Sequence, residues 1–146
     1  MRRALAIAVA MAALLTGCGL FLPPMDANGI RAVWVVVPAG SLGELGGRML
    51  PGPGYCILHI DERFVQDAHI IAHEYGHCVD YYILGWSHGN VDTRDCATRW
   101  WWDSSYYCSR SEYYAQAWAD AWLNLHPHEA VRMPPQAPLP DPRAVR

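Results

Sequence analysis

The chain leaves little material from which to build a core. Residues 4–15 form an apolar run behind Arg2 and Arg3, and from Met133 onward five of fourteen residues are proline. Only about 100 residues therefore lie between two ends of different character, and a body of that size buries limited apolar surface and gains from covalent cross-links. The run at 4–15 is too short to span a bilayer as a helix; with basic residues before it and small residues after it, it has the pattern of an export signal. An exported chain meets an oxidising compartment, where cysteines pair. Cys56, Cys78, Cys96 and Cys108 lie in the body, and three pairings are open to them. The pairing expected here joins Cys56 to Cys78, tying a strand to a helix, and Cys96 to Cys108, closing a local loop that holds Trp100, Trp101 and Trp102. No Cys-x-x-Cys spacing favours a thiolate metal site instead.

Composition narrows the function. A hydrophobic share of 52% against 17% charged residues fits a folded domain, not a disordered chain. The formal charge of −3 gives nucleic acid no electrostatic footprint, so it is excluded as a partner. All 11 basic residues are arginine, which removes Schiff-base lysine chemistry and the lysine of phosphate-binding loops.

Leu15-Thr16-Gly17-Cys18 resembles the lipobox of bacterial lipoproteins. That resemblance implies cleavage before Cys18, acylation of its thiol, and a lipid anchor on the extracytoplasmic side of a membrane in the bacterial cell envelope. Residues 1–17 are then a signal peptide, 18–30 a tether containing Pro23, Pro24, Asn28 and Gly29, 31–130 the folded domain, and 131–146 a proline-rich tail without means to form a core.

Within the body, 31–38 reads as a buried strand because of its β-branched run, and 55–61 as a second strand by alternation. Residues 39–54, with six glycines and two prolines, read as loop and turn with room for a short helix at 42–45. Helices are expected over 66–84, stopped by Gly85, and over 111–125, capped by Ser109 or Ser111 and followed by Pro127. Residues 85–109 read as loop.

The chemistry lies in His73-Glu74-Tyr75-Gly76-His77. Two histidines four apart on a helix stand one above the other, so both imidazoles reach one metal ion, and the glutamate between them reaches a water at that ion. This is the HExxH spacing of zinc-dependent hydrolases. A four-coordinate catalytic zinc needs a third protein ligand. His69 and Asp80 share the helix with the two histidines, and one straight helix does not easily supply three ligands around a tetrahedral ion; either can serve as a supporting or ordinary polar residue. Glu112, which opens the second helix, is the stronger candidate. Tyr114, Trp118, Ala121, Trp122 and Leu125 form an apolar stripe on that helix, while Glu112, Gln116 and Asp120 fall to a polar side. Gly76, Ala115 and Ala119 are small enough to let the helices approach.

His73 to Asp80, reading HEYGHCVD, together with Glu112 to Ala119, reading EYYAQAWA, resembles the gluzincin metallopeptidases, particularly the lethal-factor-type branch. The resemblance implies a minimal zincin-like α+β fold: a small N-terminal sheet packed on the HExxH helix, with a second ligand-bearing helix. It implies Zn2+ held by His73, His77 and Glu112, with Glu74 as catalytic base. The family often carries an acid one turn after the glutamate ligand. Here Gln116 stands there, leaving Asp80 or Asp120 to supply a supporting carboxylate. Tyr106 or Tyr107 can donate a phenol to the oxyanion. In zincins generally an exposed strand before the active helix pairs with extended substrate, and 55–61 holds that place.

The function expected is a membrane-anchored zinc peptidase, an endopeptidase acting on a peptide or protein in the cell envelope. A different class is a non-catalytic envelope lipoprotein whose Trp- and Tyr-rich surface, including Trp86 and Trp100 to Trp102, binds glycan or protein. The bland reading of those tryptophans is a cover over a small core, and His88, His126 and His128 read as ordinary surface or core histidines.

Overall fold

Three strands and two long helices carry the fold in the computed structural model, which describes residues 23–94, 96, 106, 108–127, 135 and 137–145. They are β1 (Ala32–Val37), β2 (Gly47–Gly52), β3 (Tyr55–Asp61), α1 (Ala68–Leu84) and α2 (Arg110–Leu125). The architecture is α+β, as expected. Among the described residues no helix is long and apolar enough to cross a membrane.

β3 is the middle strand, parallel to β1 and antiparallel to β2. Its alternation is real: Cys56, Leu58 and Ile60 are fully buried, while Tyr55, Ile57 and His59 are partly covered. β1 is a half-buried edge strand, not a buried one, with Val36 52% exposed.

β2 overturns the loop reading of 39–54. Gly52 pairs with Tyr55 across Pro53 and Gly54, and Gly54 has φ +80°, the Pro-then-Gly order of a type II turn. Pro51 is tolerated because β2 lies at the sheet edge, where a missing N–H breaks no ladder on the outer side. Ahead of β2, hydrogen bonds from Ser41 to Pro38, Gly43 to Gly40 and Leu45 to Leu42 make successive turns where a short helix was expected.

Asp67 caps α1, its side chain accepting from the N–H groups of His69 and Ile70, and Gly85 ends the helix in the left-handed conformation. Ser109 caps α2. The helices pack closely: a Cβ on Gly76 would stand 3.0 Å from the Cα and carbonyl oxygen of Ala115. Tyr75, Tyr114 and Trp118 fill the core between helices and sheet, all fully buried. The expected apolar stripe of α2 holds through Trp122, but Leu125 is exposed.

Cys56 pairs with Cys78, joining β3 to α1, and Cys96 pairs with Cys108. Both match the expected connectivity. The described parts of the segments expected as tether and tail pack against the body. From Pro23 on, the expected tether is docked on the body: Asp26 accepts from the Tyr75 hydroxyl at 2.8 Å, and Ile30 is buried in the core. In the expected tail, Val145 is 5% exposed within the same core, the Tyr114 hydroxyl donates to the Pro142 carbonyl, and buried His126 donates to the Pro138 carbonyl. Carbonyl acceptors and one buried valine let a proline-rich segment pack without secondary structure of its own. Cys18, Trp100 to Trp102, Tyr107 and His128 lie outside the described residues.

Candidate metal centre

The site forms where the middle of α1 meets the start of α2. His73 and His77 project one turn apart from α1, and Glu112 enters from the first turn of α2. Its carboxylate stands 3.1 Å from His73 Nε2 and 3.4 Å from His77 Nε2. One donor atom from each of the three lies within 4.8 Å of the others, a set able to hold a metal ion. Two imidazoles and a carboxylate suit a borderline cation such as zinc, and they stand within reach of two adjoining cavities.

Each member of this set is positioned by neighbours. Close packing at Gly76 and Ala115 brings the helices near enough for Glu112 to meet both histidines. Ser111 Oγ lies 3.2 Å from His77 Nδ1, within hydrogen-bond reach on the side of the ring opposite Glu112, so a proton held on Nδ1 would leave Nε2 to a metal ion. Sequence reading treated Ser111 only as an alternative cap. The local pattern of a cap and of a ligand-supporting hydroxyl is the same, and only the tertiary contact separates them.

Glu74 is 7% exposed and lies beneath β2. A Cβ on Gly47 would fall 2.5 Å from Glu74 Cγ, so glycine at that position permits the strand to lie over the carboxylate. Burial pushes the Glu74 carboxyl up to about 7, with Glu112 adding to the rise and His73 opposing it. For Glu112, burial raises the pKa, but hydrogen bonds and charge from His73 and His77 outweigh it and hold the carboxyl well below the usual carboxylate range. Two neighbouring carboxylates thus have opposed environments. One is held ionised among imidazoles, and burial favours the protonated form of the other.

Cavities of about 280 Å³ and 430 Å³ lie against Glu74, and Leu45, Gly47, Tyr106 and Glu112 line both. No family model matches the chain, and neither a curated protein nor a solved structure does.

Other expected members fall differently. Asp80 is fully buried and accepts from the backbone N–H and Nδ1–H of His88, at 2.8 and 2.6 Å, so it secures the loop after α1. Gln116 and Asp120 group with His69 one turn along the helices. Tyr106 stands at the cavity rim, 42% exposed. β3 has a partner on each side and no free edge for substrate; the edge strand over Glu74 is β2.

Proposed function

We propose that this chain is an exported zinc peptidase of gluzincin type, with a minimal zincin-like fold, held to a bacterial envelope membrane through Cys18. The observation that carries the reading is the placement of buried Glu74 between the β2 edge and the His73, His77 and Glu112 donor set. A purely structural metal site has no use for a buried carboxylate of raised pKa beside it.

Zinc bound by these three residues supplies Lewis-acid polarisation of a peptide carbonyl and acidifies water. Glu74 takes a proton from the attacking water and returns it to the departing amine, a task suited to a buried carboxyl beside the donor set. Ser111 keeps His77 in the tautomer that presents Nε2. The outer edge of β2 offers backbone groups to an extended peptide, which lays the scissile bond across Glu74. Tyr106, at the rim of both cavities, is the phenol we assign to the oxyanion.

Replacing Glu74→Gln keeps the shape of the side chain and removes the base. Zinc content should stay at one tight equivalent while peptide cleavage falls about 10²- to 10⁴-fold. Metal analysis and cleavage of an unfolded protein substrate, with and without chelator, check this. Cleavage by the variant at the wild-type rate would remove Glu74 from the mechanism. Stoichiometric zinc with no chelator-sensitive cleavage in the wild type would favour the non-catalytic binding module.

A further inference from the structure

A second polar rung lies one turn from the first. On α1, His69 stands four residues before His73; on α2, Gln116 and Asp120 stand four and eight residues after Glu112. The two helices run in opposite directions at this seam, as Ser111 meets His77, Glu112 meets His73, and Gln116 meets His69. Gln116 Nε2 donates to His69 Nε2 at 2.6 Å and to Asp120 Oδ1 at 3.0 Å, and His69 Nε2 stands 3.6 Å from Asp120 Oδ1. A half-turn of the Gln116 amide puts its carbonyl oxygen where the NH₂ stands. An imidazole nitrogen, a carboxylate oxygen and an amide oxygen then share one small volume. Donors around one zinc-sized ion at about 2.1 Å lie roughly 3 to 3.5 Å from one another; the separations here are 2.6, 3.0 and 3.6 Å, so the turned amide has only to draw back from His69 as an ion enters.

We propose that His69, Gln116 and Asp120 form a second divalent-cation site, weaker than the first and suited to zinc-like ions because its nitrogen donor is an imidazole. It carries one carboxylate and one imidazole, against one carboxylate and two imidazoles in the first site. Its side chains are more open as well, with His69 41% and Asp120 36% exposed. An ion can therefore enter and leave readily. His69 and Gln116 line the 280 Å³ cavity that also borders Glu74, so an ion there narrows the space beside the general base. Excess zinc should accordingly suppress cleavage. That consequence rests on the peptidase reading; the binding itself does not.

The test is equilibrium dialysis of the untagged full chain, disulfides closed, against chelator-buffered zinc. The wild type is expected to take up two ions in separate steps. His69→Ala and Asp120→Asn should each lose the weaker step and keep the tighter one, which also reports that the variants are folded. Glu112→Ala should lose the tighter step and keep the weaker. A single ion in the wild type, or two ions in both His69→Ala and Asp120→Asn, would overturn the second site. If Glu112→Ala retains the tighter ion, the first-site assignment and the peptidase reading fail while the second site stands. Where cleavage is measurable, the ratio of rates at excess zinc and at one equivalent should rise towards one in His69→Ala.

Discussion

Ser111 and Glu112 are neighbours in sequence and act on the same histidine from different sides. Glu112 presents a carboxylate to His77 Nε2, and Ser111 meets Nδ1 on the other side of the ring. Removing the hydroxyl in Ser111→Ala should weaken zinc binding about 10-fold or more, as loss of a ligand's outer hydrogen bond does elsewhere. Competition with a chromophoric chelator measures this, and an unchanged affinity would take Ser111 out of the site. A second residue-scale effect concerns pH. Asp61 accepts from the Gly40 N–H at 2.7 Å and from the backbone and side chain of Arg63, and the Arg63 side chain holds its carboxyl down at about 2. A folded-state pKa below the ordinary value means the carboxylate stabilises the fold above about pH 4. That contribution is lost as pH falls towards 2. Asp61→Asn should therefore flatten the acid-unfolding profile between pH 4 and 2, followed by circular dichroism; a profile parallel to wild type would contradict it. At this scale the sequence was informative where spacing carries the chemistry. His73, Glu74 and His77 follow from a four-residue helical repeat. Ser111 was obscured because its partner is 34 residues away.

The two long helices were legible because each has an apolar face, a capping side chain and a terminating signal. β2 was not, for reasons that explain what it does. Gly47, Pro51 and Gly52 are poor strand formers, yet Gly47 is required where the strand crosses Glu74, and Pro51 suits an edge. Residues that look like a loop are here those of a strand pressed against a buried carboxylate. The same compromise marks α1. Gly76→Ala should gain about 1 kcal/mol from helix propensity, but the added methyl meets backbone atoms of Ala115 at 3.0 Å, and overpacking there costs about 1–3 kcal/mol. The expected outcome is net destabilisation in urea denaturation together with weaker zinc binding, since separating the helices draws Glu112 from His73 and His77. A more stable variant with unchanged zinc affinity would show that the contact yields without cost.

Across the whole molecule, both flanking segments contribute to the core. Composition alone marked 131–146 as a tail because prolines form no regular element, but burial depends on acceptors and shape as much as on periodicity. Ending the chain after Met133 should destabilise it by about 3 kcal/mol or more, combining the burial of Val145 with lost carbonyl partners for Tyr114 and His126. Urea denaturation of the shortened and full chains measures this, and equal midpoints and slopes would show that the segment only lies on the surface. The link between Cys56 and Cys78 has a further consequence for metal selectivity. Cys78 directly follows His77, a ligand in the proposed site, and in a reduced chain that has not yet folded its soft thiolate would compete for an incoming ion. Closing the disulfide eliminates that competitor before metallation, so the cross-link guards against misligation as well as holding α1 to the sheet.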